Sequence, residues 1–132
     1  MGHPPRFHDD DPLLARVREI ALAFPAAAEK ISHGTPTFYT KKVFAQYGAA
    51  VKGEHESWAL RRSLVFLPDE TDRVALEQDP RIHIPAYVGA SGWLALDLTA
   101  ATPDWAEVRE LMDASYRRTA AAKFVAELDA GE

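Results

Sequence analysis

Between Pro25 and Pro68 the chain is written in short apolar runs with connections too brief to hold a crossover helix. Thr37 to Thr40 and Val43 to Tyr47 alternate and are rich in aromatic and β-branched residues, with only Lys41-Lys42 between them. Alternation of this kind marks half-buried strands, and a two-residue connection can join only antiparallel neighbours. A chain with such a middle is committed to an antiparallel sheet. Lys41-Lys42 is an unusual tight turn, because two-residue hairpins favour glycine or asparagine. Glu29 to His33 reads as a further short strand, with Gly34 and Pro36 marking the turn after it. Beyond a loop at Lys52 to Glu56, Trp58, Leu60 and the run Leu64 to Leu67 form another strand or pair.

The flanks read as helices. Asp11 can cap a helix whose first turn accepts Pro12, since the missing N–H there has no partner to lose. Leu13, Val17, Ile20, Ala21 and Phe24 recur at helical spacing, and Pro25 forbids continuation. Asp69 caps a short helix that runs to Gln78 and is stopped by Pro80. Ile82 and Ile84 flank His83 in a brief extended piece, and Pro85 to Gly92 is a loop. In the strand Trp93 to Leu98, Leu94, Leu96 and Leu98 face one way while Trp93, Ala95 and Asp97 face the other. Thr102-Pro103-Asp104 then opens a last helix with Trp105, Val108, Leu111, Met112, Ser115, Tyr116 and Thr119 on its inner face. From Lys123 onward that helix either continues or frays. The expected fold is an α/β two-layer (α+β) domain, an antiparallel sheet with helices packed on one face. Residues 1–10 are expected as a flexible tail and residues 11–132 as a single domain.

Several function classes are excluded at once. With 132 residues the chain has room for one core, and with no cysteine it has no disulfide, thiolate metal site or cysteine nucleophile. No apolar run reaches the roughly 18 residues needed to span a bilayer, and the N-terminus lacks a signal-peptide core. A cytoplasmic monomer is the expectation. The net charge of −5 argues against a dedicated nucleic-acid binder. It is unevenly spread, however. Residues 30–62 hold Lys30, Lys41, Lys42, Lys52, Arg61 and Arg62 against Glu54 and Glu56, a local +4 inside an acidic remainder. A solvated hairpin surface is the more economical reading of that excess.

Motifs for chemistry are lacking. His3, His8, His33, His55 and His83 show no metal spacing, and His55 between Glu54 and Glu56 fits a solvated loop. Gly89 and Gly92 lead into a strand rather than a helix N-terminus, so they make no phosphate loop. Ser91 lacks the flanking pattern of a nucleophile elbow. Neither a cofactor nor a metal is expected, and a catalytic role is the less favoured reading.

The succession Pro85-Ala86-Tyr87-Val88-Gly89-Ala90-Ser91-Gly92-Trp93-Leu94, then Asp104-Trp105, Glu110-Leu111 and Ser115-Tyr116-Arg117, resembles the C-terminal half of MmcQ/YjbR-like proteins. Upstream, Phe24-Pro25 with Glu29, Gly34-Thr35-Pro36-Thr37-Phe38 and Val43-Phe44-Ala45 resemble their N-terminal half. Together these cover residues 13–122. Members of that family often carry a glycine in the turn where this chain has Lys41, so a standard primed turn is not expected there. The resemblance implies a compact fold with a curved antiparallel sheet. Some members have been proposed to bind DNA, and no catalytic residue is carried over.

Two readings follow. In the first, the chain is a non-catalytic binding domain for DNA of weak affinity, with Lys41, Lys42, Lys52, Arg61 and Arg62 on phosphates and Tyr39, Tyr47 or Trp58 stacking on bases. In the second, from another class, a small molecule is bound or turned over in a cleft near Tyr87, Trp93 and Tyr116, with Arg117 as an anion contact. Aromatics of this kind are more often core. A protein-interaction role for an exposed sheet edge is a third class without a residue to mark it.

Overall fold

The computed structural model describes residues 7–50 and 60–131. Lys52, Glu54, His55, Glu56 and Trp58 therefore lie outside the described residues. In chain order the elements are α1 (Pro12–Ala21), β1 (Ala28–Ser32), β2 (Thr35–Tyr39), β3 (Val43–Ala49), β4 (Leu60–Phe66), α2 (Glu70–Glu77), β5 (Ile82–His83), β6 (Leu94–Asp97), α3 (Trp105–Thr119) and α4 (Ala122–Ala130). The strands form one open sheet in the order β1-β2-β3-β4-β6-β5, and every pairing is antiparallel.

The caps act as their residue types dictate. Asp11, Asp69 and Asp104 each accept a backbone N–H two residues on, at Leu13, Thr71 and Ala106. Each thereby satisfies one of the donors that a helix start leaves without a partner. The last helix does not simply continue. Ala120 and Ala121 are extended, and α4 begins as a separate helix at Ala122. Of the stretch expected as a tail, residues 7–10 are placed: Phe7 lies against the core and Asp9 meets Arg18 at 2.9 Å.

The hairpins differ from the expected turns for clear reasons. Ser32 pairs with Thr35, and the two residues between them, His33 and Gly34, have φ of 53° and 83°. Two consecutive positive φ values are those of a tight turn matched to strand twist. Pro36 belongs to β2 rather than to this turn. At the other end Tyr39 pairs with Val43, so the connection is the three residues Thr40-Lys41-Lys42, closed by the Thr40 N–H on the Lys42 carbonyl at 3.2 Å. None of the three has a positive φ, which removes any call for glycine at Lys41. The register also slips: Phe38 faces Ala45 while Tyr39 faces Val43, leaving Phe44 as the extra residue of a bulge. Phe44 and Ala45 consequently both enter the helix-side core, against the alternation of an unbroken strand.

That core gathers Leu14, Val17 and Ala21 of α1, Phe38, Phe44, Tyr47, Leu64, Phe66, Leu94 and Leu96 of the sheet, and Val108, Met112 and Tyr116 of α3. Phe24, Phe44 and Tyr116 meet at ring separations of 4.9 to 5.7 Å. Ser115 is fully buried at the same interface. Its hydroxyl donates to the Phe44 carbonyl at 2.5 Å and accepts the Leu67 N–H at 2.9 Å. Both are backbone groups that the ladder does not pair, one at the bulge and one just past β4.

The opposite face is covered as well. Ala49, Leu60, Val65 and Ala95 are buried there, and the half-buried Trp93 packs on them. The expected division of the last strand, leucines one way and Trp93 with Ala95 the other, is what the two cores show. Beside β3, Gly48 adopts a φ of 99°, and a Cβ at that position would stand 2.8 Å from the Arg61 carbonyl. Only glycine serves there. Trp93→Ala should cost about 2–3 kcal/mol in urea denaturation, below the 3–5 kcal/mol of a fully enclosed tryptophan because Trp93 is only partly enclosed. An unchanged unfolding midpoint would contradict its structural role.

Candidate functional site

The basic residues expected to act together fall at two ends of the sheet. Val43 and Ala49 are six steps apart on β3, about 20 Å. At the Val43 end stand Lys41 and Lys42, both exposed in the β2–β3 connection. Lys30 of the neighbouring edge strand is exposed too, and its Nζ lies 4.8 Å from the centre of the Tyr39 ring. Lys30 pairs with Thr37, Thr37 with Gln46 and Gln46 with Val65, so Lys30 and Tyr39 are on the sheet face away from α1 and α3. The one carboxylate on β1, Glu29, points to the other face. There the Arg18 guanidinium holds it through bonds of 2.9, 3.0 and 3.1 Å. The lysines at this end therefore present their charge without that carboxylate between them.

At the Ala49 end are Arg61, Arg62 and Tyr47. Arg62 is committed to Asp11, with Nη2 on Oδ1 at 2.6 Å and Nε on Oδ2 at 3.1 Å. Tyr47 donates its hydroxyl to the same carboxylate, and the Leu13 N–H donates to Oδ1 at 2.9 Å. Asp11 thus joins the start of α1 to β3 and β4. Tyr47 is 1% exposed, so its ring cannot stack on a base, contrary to the sequence expectation. Arg62 is tied by the Asp11 carboxylate, which opposes a phosphate contact. Arg61 is exposed. Around this cluster Phe7, His8, Asp10 and Pro12 complete an open cleft of about 420 Å³.

Electrostatics at Asp11 run in two directions. Burial alone would raise its pKa, but the hydrogen bonds from Arg62, Tyr47 and the Leu13 N–H outweigh it and hold the carboxyl below its usual value. Burial and then the Asp11 carboxylate push the Tyr47 phenol well above its ordinary value, so it remains a donor.

The residues of the second expected site are not brought together. Tyr116 is fully buried on the helix side, stacked on Phe24, with its hydroxyl donating to the Pro25 carbonyl at 2.7 Å. Trp93 packs on the other sheet face, and Tyr87 is 78% exposed. Arg117 is held by Asp113 and by Asp129, at 2.5 and 2.8 Å. One cleft cannot be lined by groups on both sides of a sheet.

Two features escaped the sequence. Asp11 was legible as a cap but not as the partner of Arg62, 51 residues away, and only a covarying pair would have signalled it. Lys30 was counted in the basic stretch but not placed beside Tyr39. The hairpin register supplies that link. Among the described residues no group of three or more His, Asp or Glu is placed to hold a metal ion, and no helix is long and apolar enough to cross a membrane.

Asp11→Asn keeps a capping side chain but loses the charge that Arg62 and Tyr47 bind. It should cost about 1–3 kcal/mol at neutral pH. A depressed carboxyl contributes its stability above the unfolded value near pH 4, and loses it as pH falls through the folded value. The gap between wild type and Asp11→Asn should accordingly be full above about pH 4 and close below it. Urea unfolding at stepped pH measures this, and a gap independent of pH would show that the Asp11 charge does not act.

No curated protein and no solved structure matches the chain. The YjbR family, in contrast, matches over residues 22–118, from the end of α1 through nearly all of α3. That span takes in the whole sheet, the bulge at Phe44, Ser115 and the Pro85–Trp93 loop, and by it the chain belongs to the YjbR family.

Proposed function

We propose that this chain is a non-catalytic domain that binds nucleic acid through the β2–β3 end of its sheet. The observation that carries the reading is Lys30 over the Tyr39 ring beside the exposed Lys41 and Lys42 of the adjoining turn, with Glu29 neutralised by Arg18 on the opposite face. Lysines on a projecting hairpin suit the phosphate backbone as point charges, and contacts to phosphate carry no sequence information. The net charge of −5 keeps the affinity low.

Fluorescence anisotropy with labelled single-stranded and duplex DNA at low ionic strength tests the proposal. Binding should weaken steeply with salt. The double substitution Lys41→Glu with Lys42→Glu should abolish most of it. Replacing the same pair by Gln should flatten the log–log salt slope by about 1.4 to 1.8, the share of two phosphate contacts. Absence of salt-sensitive binding in the wild type would remove the proposal.

A reading from a second class rests on the cleft of about 420 Å³ beside Asp11 and Arg62, a volume within the range of small-molecule sites. A thermal-shift screen separates the two, because a ligand that prefers the native state raises its melting temperature. Hits that Arg61→Ala removes, without DNA binding, would favour the cleft.

A further inference from the structure

The loop between β5 and β6 holds one residue in a conformation that its side chain opposes. Tyr87 has a φ of 68°, and the Val88 N–H donates to the Ala86 carbonyl at 2.8 Å across it. A hydrogen bond spanning a single residue of positive φ defines the strained form of the γ-turn. The surrounding backbone fixes the turn: Ala86 donates to the Ala50 carbonyl at 2.8 Å, Gly89 to Pro85 at 3.1 Å, and Ser91 to Val88 at 3.0 Å. Strain of this kind persists only where its surroundings over-determine it. Here it does not serve to bury the ring, because Tyr87 is 78% exposed, with Val88 and Ile84 also partly exposed beside it. The fold spends backbone strain to hold a phenol outward on a rigid loop.

Charge and position say what such a ring meets. From Ile82 to Leu96 no residue is Asp, Glu, Lys or Arg, although 27% of the chain is charged. A polyanion can thus come up to Tyr87 without meeting a loop carboxylate. The loop ends in Trp93, which packs on the face that also carries Lys30 and Tyr39. Through the Ala86–Ala50 bond it reaches the end of β3, where Ala49 pairs with Leu60 next to Arg61. Cations therefore stand at both ends of β3, and the loop that carries the outward Tyr87 is bonded to the end where Arg61 lies. We infer that Tyr87 is a stacking platform for an unpaired base, and that the ligand class is single-stranded nucleic acid. The inference rests on the nucleic-acid reading above. Base stacking on aromatic rings tolerates any sequence and is unavailable to a base already stacked in a duplex.

The test uses the full chain with fluorescein-labelled dT12 and a mixed-sequence 12-base-pair duplex, comparing wild type, Tyr87→Phe, Tyr87→Ala and Tyr87→Gly. Wild type and Tyr87→Phe should prefer the single strand. Tyr87→Ala and Tyr87→Gly should bind dT12 about 5- to 150-fold more weakly, the loss of one stacked base, with the salt slope and duplex binding unchanged. Glycine adopts positive φ freely and alanine does not, so Tyr87→Gly should melt several degrees above Tyr87→Ala. A glycine variant that melts lower than the alanine variant would show that the turn is not strained. If dT12 binding is the same in all four proteins, Tyr87 is no platform while the nucleic-acid reading stands. If the wild type binds neither DNA, that reading fails and this one with it. A Tyr87→Ala change confined to the sedimentation coefficient would assign the ring to a protein contact and overturn the inference.

Discussion

One buried hydroxyl, that of Ser115, lets a broken strand sit beneath a helix. The bulge at Phe44 leaves a carbonyl that the ladder does not use, and the chain leaves the sheet at Leu67 with an N–H facing inward. A buried backbone group without a partner costs about 1–3 kcal/mol. Ser115 satisfies both groups from the inner face of α3, one as donor and one as acceptor. It thereby fixes the depth at which α3 lies on β3 and β4. The next residue, Tyr116, uses the same placement to stack on Phe24 and bond the Pro25 carbonyl. Without the bulge, strict alternation would put only one of Phe44 and Ala45 in the helix-side core, and the Phe24–Phe44–Tyr116 cluster could not sit beside a buried Ala45.

Charge is divided by residue type. Arginines build: Arg18 holds Glu29, Arg62 holds Asp11, Arg81 holds Asp79 and Glu107, and Arg118 donates to the Pro68 carbonyl at 2.6 Å. Each ties a helix or a loop to the sheet or its neighbour. The planar fork of a guanidinium suits such two-point contacts better than an ammonium does. The exposed Lys30, Lys41 and Lys42 are left at the sheet's end. A chain of net charge −5 can in this way show a basic end while the carboxylates facing its arginines are neutralised within the fold.

What could be read from the sequence was what is local. Asp11-Pro12, Asp69 and Asp104 announce helix starts because capping needs only residues two or three apart. Leu94, Leu96 and Leu98 announce a strand face because the period of two is geometric. Residue type alone offers Tyr47 as a stacking ring, whereas it shares the core face with Ala45 two residues before it. The Arg62–Asp11 pair and the Lys30–Tyr39 contact are products of strand order and register, and no spacing rule reaches them. At Ala120-Ala121 two good helix formers are extended, because the preceding turn ends on the Tyr116 carbonyl and the chain folds back. The strain at Tyr87 is likewise invisible in composition, since nothing in Pro85-Ala86-Tyr87-Val88 asks for a positive φ.

The seating of α3 on the sheet can be observed at a single amide. Leu67 lies one residue beyond β4, where a chain leaving a sheet would ordinarily exchange its amide hydrogen quickly. With the Ser115 hydroxyl as its acceptor, it should instead exchange as slowly as the core of β4, through global unfolding. In Ser115→Ala it should fall to the protection of a loop while Val65 stays protected. Leu67 exchanging at loop rates in the wild type, or unaltered in Ser115→Ala, would show that the Ser115 hydroxyl does not seat α3 on the sheet.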